Sequence, residues 1–134
     1  MSAIRKNFEF AYDFAINGGA VGTILQPGGI SSNALVVGVH VVCLQSLAGA
    51  AATVDIKVGA TSLLGATPIA AYPTIGLAWD QLNENAINAG IVAAAAPYQN
   101  EVFIATPGQV GLVISAGALT AGILFVVVEY IDFD

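Results

Sequence analysis

Positive charge is nearly missing from this chain. Arg5, Lys6 and Lys57 are its only basic residues, set against nine acids, for a formal net charge of −6. So few Lys and Arg cannot neutralise a run of phosphates, so no nucleic-acid partner is expected. Charge of either sign is scarce, at 9% of residues, where an ordinary soluble domain carries about 25%. Cysteine occurs once, as Cys43, which excludes an internal disulfide. Histidine also occurs once, as His40. GxSxG, HExxH, CxxC and phosphate-loop patterns are all missing. Neither catalysis nor a metal or other cofactor is therefore expected.

Long uncharged runs are present, and they raise the question of a membrane. Residues 102–128 carry no charge, a length that exceeds the ~20 residues a spanning helix needs. That run is broken by "TPGQ" (106–109) and "SAGALTAG" (115–122), which are turn signals. Its apolar pieces are short and β-branched, "VFIA", "VGLVI" and "ILFVVVEYI". No Lys or Arg follows Lys57 to set a topology. No membrane partner is expected. The opening "MSAIRKNFEF" leads into alternation rather than an apolar leader core, so no secretory leader is expected either.

What the chain does contain is strand signal. In "IRKNFEFAYDFA" the even positions are Ile4, Lys6, Phe8, Phe10, Tyr12 and Phe14, whereas the odd ones are Arg5, Asn7, Glu9, Ala11, Asp13 and Ala15. Successive side chains of a strand point to opposite faces, so one aromatic face meets a core or a partner chain and the other meets water. Phe8, Phe10, Tyr12 and Phe14 are the candidate assembly contacts. Further apolar runs recur about every ten residues, closed by "INGGAVG" (16–22), "PGGISSN" (27–33) and similar glycine turns. "TILQ", "ALVVGVHVVCLQ", "ATVDIKVG", "TSLLGA", "VFIAT", "QVGLVIS" and "ILFVVVEYI" supply the other strands. Only "WDQLNENAINAGIVAAAA" (79–96) could turn helically, and its Asn and Gly content favours a loop. At 134 residues the chain reads as a single all-β domain, 1–134. The expected fold is an antiparallel β-sandwich of about eight strands, of jelly-roll or Greek-key type.

His40 and Cys43 stand three residues apart in one predicted strand, hence on opposite faces and about 10 Å apart. On strict alternation His40 shares its face with Val36, Gly38, Val42 and Leu44, and Cys43 shares its face with Leu35, Val37, Val39 and Val41. They cannot act together as nucleophile and base. Cys43 is predicted to be an inert buried thiol, and His40 a half-buried, hydrogen-bonded residue or a subunit contact. The densest polar cluster is "WDQLNEN" (79–85), with Trp79, Asp80, Asn83, Glu84 and Asn85. It lacks the regular acid spacing of a calcium loop. With Tyr72 and Tyr98, Trp79 could instead form a platform for stacking on a sugar ring. A carbohydrate-binding β-sandwich is thus the alternative function.

Two longer stretches resemble a known family. "FEFAYDFAINGGAVGTILQPGGISSNALV" (8–36) joins an alternating aromatic strand to a glycine turn and a second strand. "LTAGILFVVVEY" (119–130) closes the chain with a tight turn and an apolar strand. With "AATVDIKVG" between them, the pattern is similar to small structural proteins of tailed-bacteriophage virions, in particular the jelly-roll decoration or cement proteins of the head. Residues 60–100 lie outside the resemblance. It implies a non-enzymatic virion protein on the outer capsid surface, bound to the major capsid protein and bridging capsomers. It also implies a homo-oligomer, dimer or trimer. Scarce charge and broad small-residue surfaces suit a protein that acts by being covered.

Overall fold

The computed structural model describes residues 3–30, 33–72, 74–80 and 102–133, with the side chains of all but 78–80 and 102. Its strands are β1 (Ala3–Asp13), β2 (Gly22–Ile30), β3 (Ala34–Ala48), β4 (Thr53–Val58), β5 (Thr61–Ser62), β6 (Thr67–Pro68), β7 (Gly76–Asp80), β8 (Val102–Ile104), β9 (Gly108–Ser115) and β10 (Ala121–Phe133). A one-turn helix, α1 (Phe14–Asn17), follows β1, and a 3-10 turn spans Ile69–Ala71. All pairings are antiparallel. The front sheet runs β1-β10-β3-β7, with β8 also on β3; the back sheet runs β2-β9-β4-β5, with β6 also on β4.

The chain crosses from sheet to sheet as it goes: β1 front, β2 back, β3 front, β4 to β6 back, β7 and β8 front, β9 back, β10 front. This is jelly-roll winding. The all-β sandwich anticipated from strand periodicity is what the chain forms. Its core draws on both sheets. Rows Phe8–Val128–Val39, Phe10–Val126–Val41 and Tyr12–Leu124–Cys43 cross the front sheet. They pack toward Val54, Ile56 and Val58 of β4 and Val110, Leu112 and Ile114 of β9.

Several local expectations need correction. The aromatic strand ends at Asp13, not Phe14. The Asp13 carboxylate accepts a 2.9 Å hydrogen bond from the Ala15 N–H and so caps α1, while Gly18 closes the turn at φ 76°. This cap turns the chain before Phe14 can extend the strand, and its half-buried ring rests on the core instead. "PGG" (27–29) lies inside β2 rather than in a turn, accommodated by a bulge against β9 between Leu25 and Gly29. "TSLLGA" contributes only Thr61 and Ser62 to a strand. Beyond them the backbone turns around Asp55, which accepts hydrogen bonds from the Ser62 hydroxyl (2.7 Å) and the Leu64 N–H (3.3 Å). Trp79 and Asp80 close β7 instead of opening a loop, and 81–96 lie outside the described residues.

A bulge in β3 also changes which residues share a face. Gly38 stands opposite Glu129, but Val36, not Val37, stands opposite Tyr130. The extra residue reverses the alternation. Val36 joins Val39, Val41 and Cys43 among the fully buried residues, while Leu35 is only half-buried and shares the outward side with His40.

Candidate functional site

Among the described residues, the outward side of the front sheet holds the main cluster of charge. Glu129 sits on β10, between β1 and β3. Its Oε1 lies 2.7 Å from His40 Nε2, and its Oε2 accepts from the Arg5 guanidinium at 3.4 Å. Asp80 of β7 stands opposite His40 in register. The sequence reading missed Glu129 as the partner. Its signal was Glu129 itself, the one charge within "ILFVVVEYI", which a strand holds most readily on the side away from the core.

The chemistry open to this cluster is narrow. An imidazole–carboxylate pair becomes a catalytic dyad only if a nucleophile is within reach. The thiol of Cys43 is fully buried on the opposite side of β3, hydrogen-bonded to the Gln45 carbonyl at 3.2 Å. Among the described residues, no group of three His, Cys, Asp or Glu could hold a metal ion. Glu129 joins His40 by a hydrogen bond and Arg5 by an ion pair, a surface network that orients side chains on the sheet.

Burial pushes the Cys43 thiol up from its ordinary pKa, with backbone hydrogen bonds opposing only in part. A thiol held protonated and covered reacts slowly. In native protein Cys43 is expected to resist a disulfide-exchange dye that labels one thiol per chain at once in denaturant. Prompt native labelling would contradict the burial. The double substitution His40→Gln, Cys43→Ala is expected to leave the fold and any self-association intact.

The candidate assembly residues and the sugar platform fare differently. Phe10 and Tyr12 are enclosed by the sandwich itself, and Phe8 and Phe14 are partly covered by the core. The Phe8 and Phe10 rings meet edge to face, with centroids 6.3 Å apart. This leaves the edge and outward side of β1, rather than its aromatic face, to meet another chain. Tyr72 does not belong to a platform. Its ring is buried, and its hydroxyl points at the Val54 carbonyl, 3.5 Å away. Sugar stacking needs an exposed ring face, which Tyr72 lacks. The side chain of Trp79, together with Asn83, Glu84, Asn85 and Tyr98, lies outside the described residues.

Burial raises the phenol pKa of Tyr72, with nearby Asp55 adding to the effect, and burial also raises that of Tyr12. Above about pH 10 the unfolded chain therefore releases phenolic protons that the folded chain keeps, so stability falls as pH rises. Phenolate absorbance from these two of the four tyrosines is expected to appear together with alkaline unfolding rather than before it.

Acidic residues missed from sequence are structural. Asp55 organises the turn after β5. Asp132, almost fully buried on β10, receives the Lys6 ammonium at 2.9 Å and ties β1 to its neighbour. Comparison with protein families, with curated proteins and with solved structures returned no match for this chain.

Proposed function

We propose that this protein is a structural assembly subunit that decorates the outer surface of a tailed-phage capsid and bridges capsomers. The observation that carries the reading is the outward side of β10. A free-standing sandwich turns polar residues to water along such a strand. Here the outward positions are Ile123, Phe125, Val127, Ile131 and Phe133, interrupted only by Glu129. Leu35 and Val42 of β3 continue the apolar side, and Phe103 of β8, opposite Leu35, is 55% exposed. Apolar area depleted in charge is what the core of an interface requires. Many copies of one modest contact then hold a lattice, because each bound copy limits the escape of its neighbours.

On this reading a major capsid protein is encoded in the same genome, and the test is co-sedimentation with empty capsids assembled from it. Wild type is expected to pellet with the shells. Phe103→Asp is expected to weaken binding while leaving the melting temperature nearly unchanged, because the ring is already exposed. Wild-type protein that stays in the supernatant at every concentration would overturn the reading. Saturable binding to a specific glycan would favour a sugar-binding module instead.

A further inference from the structure

The edges of the two sheets are finished differently. β2, at the edge of the back sheet, carries Pro27, Gly28 and Gly29 and a bulge. Such irregularities prevent another strand from adding. β1, at the edge of the front sheet, pairs with β10 through eleven consecutive residues, Ala3 to Asp13, with no register shift. Its sequence has no proline and no glycine. Every second residue of an edge strand turns its N–H and C=O away from the sheet, and among the described residues no backbone hydrogen bond fills that side of β1. Residues 3–7 are exposed on both faces, and Ile4 is 50% exposed. Lysine is a usual guard on such an edge, but Lys6 is held by Asp132.

We infer that β1 pairs antiparallel with β1 of a second copy about a two-fold axis at Asn7, joining the two front sheets into one. The inference rests on the reading of the chain as an assembly subunit and adds the partner and the register. In this register Arg5 stands opposite the second copy's Glu9, and its Glu9 opposite Arg5, so the symmetry forms the ion pair twice. Both side chains lie on the outward side and both residues are exposed. On the inward side, Ile4 falls opposite the aromatic ring position of residue 10, and Lys6 opposite that of residue 8. The exposed isoleucine is covered.

Other registers lose this match. A slip of two residues sets Arg5 opposite Asn7 or Ala11. A slip of four sets Arg5 opposite Arg5, or Glu9 opposite Glu9, and like charges directly opposed are destabilising. Within each chain Arg5 already contacts Glu129, which contacts His40. Pairing therefore produces a continuous line of polar contacts from His40 through Glu129 and Arg5 to Glu9 of the second copy. Only one register does this.

Sedimentation equilibrium and cysteine cross-linking test the pairing. Wild type is expected to dimerise. Glu9→Arg is expected to weaken the dimer by about tenfold, because each cross-strand charge pair turns from attraction to repulsion. Arg5→Glu with Glu9→Arg is expected to recover much of that loss, a rescue that an effect within one strand cannot give. Asn7→Cys is expected to form an intermolecular disulfide on mild oxidation, since directly opposed strand residues lie within disulfide reach. Glu9→Cys is not expected to do so, because the two copies of residue 9 stand about 14 Å apart. Buried Cys43 does not compete. Equal cross-linking of both variants, or no rescue by the double swap, would overturn the register. Monomer that still pellets with capsids would overturn the pairing and leave the decoration reading standing. Monomer that binds no capsid would overturn both.

Discussion

Truncating Tyr12 to alanine is expected to cost about 3–5 kcal/mol of folding stability, the range for removing a fully buried aromatic side chain. Tyr12 is 0% exposed, in a row with Leu124 and Cys43 across the front sheet. The loss has two parts. Removing the ring returns less apolar area to burial and leaves a cavity between the sheets that close-packed strands fill poorly. Removing the hydroxyl takes away a 2.7 Å hydrogen bond to the Gly18 carbonyl, which fastens the turn after α1 to the end of β1. Tyr12→Phe isolates the second part, at roughly 1 kcal/mol for a lost hydrogen bond. Glu9→Ala, outward and exposed on the same strand, is expected to change stability by about 0.5 kcal/mol or less in the monomer. Urea unfolding of the three variants at a dilution that disfavours self-association checks the order. Equal costs at positions 9 and 12 would show that β1 does not present alternate residues to the core.

The same strand shows what was legible in the sequence. β1 carries one polar or small side and one aromatic side from Asn7 to Asp13, so periodicity alone assigns its inward residues there. β10 is apolar on both sides except at Glu129 and Asp132, and periodicity leaves its faces open. β3 could not be assigned that way. In "ALVVGVHVV" both sides are apolar, so alternation carries no mark of the bulge near Val37, and the faces of Leu35 and Val36 came out exchanged. Hydrogen bonding to Asp13 ended β1 one residue early, a contest between a cap and an aromatic strand position that periodicity does not weigh. Tyr72 looked like a surface aromatic because it stands among Ala, Pro and Thr. Its burial comes from distant β4, which local sequence does not mention. The charge cluster was half legible. His40 was expected to be hydrogen-bonded, but its partner lies 89 residues away, a distance only the jelly-roll winding closes.

Glycines placed by contact rather than by turn geometry lead to the second large effect. Gly108 opens β9 opposite Ile30 of β2, and a Cβ built on it would lie 2.7 Å from both Cα and N of Gly59. Gly59 cannot yield easily. It holds φ 57° in the turn from β4 to β5, and its N–H donates a 2.9 Å hydrogen bond to the Gln109 carbonyl. Gly111, three residues along the same strand, presents the opposite case. A Cβ there meets chiefly the Thr23 methyl and the end of the Leu25 side chain, both on exposed residues free to rotate. Replacing glycine by alanine stabilises by about 0.4–1 kcal/mol through the unfolded chain when the native site accepts the methyl group. Overpacking that must move backbone costs about 1–3 kcal/mol. At Gly108 the second term exceeds the first, so Gly108→Ala is expected to destabilise by about 1–2 kcal/mol. At Gly111 the two nearly cancel. Thermal unfolding of the two variants beside wild type decides the matter, with a lower melting temperature expected for Gly108→Ala alone. Amide exchange adds a local reading: the Gly59 N–H should lose protection in Gly108→Ala and keep it in Gly111→Ala. If both variants melt with wild type and keep that protection, the close approach of β9 to the β4–β5 turn is not what holds this end of the back sheet.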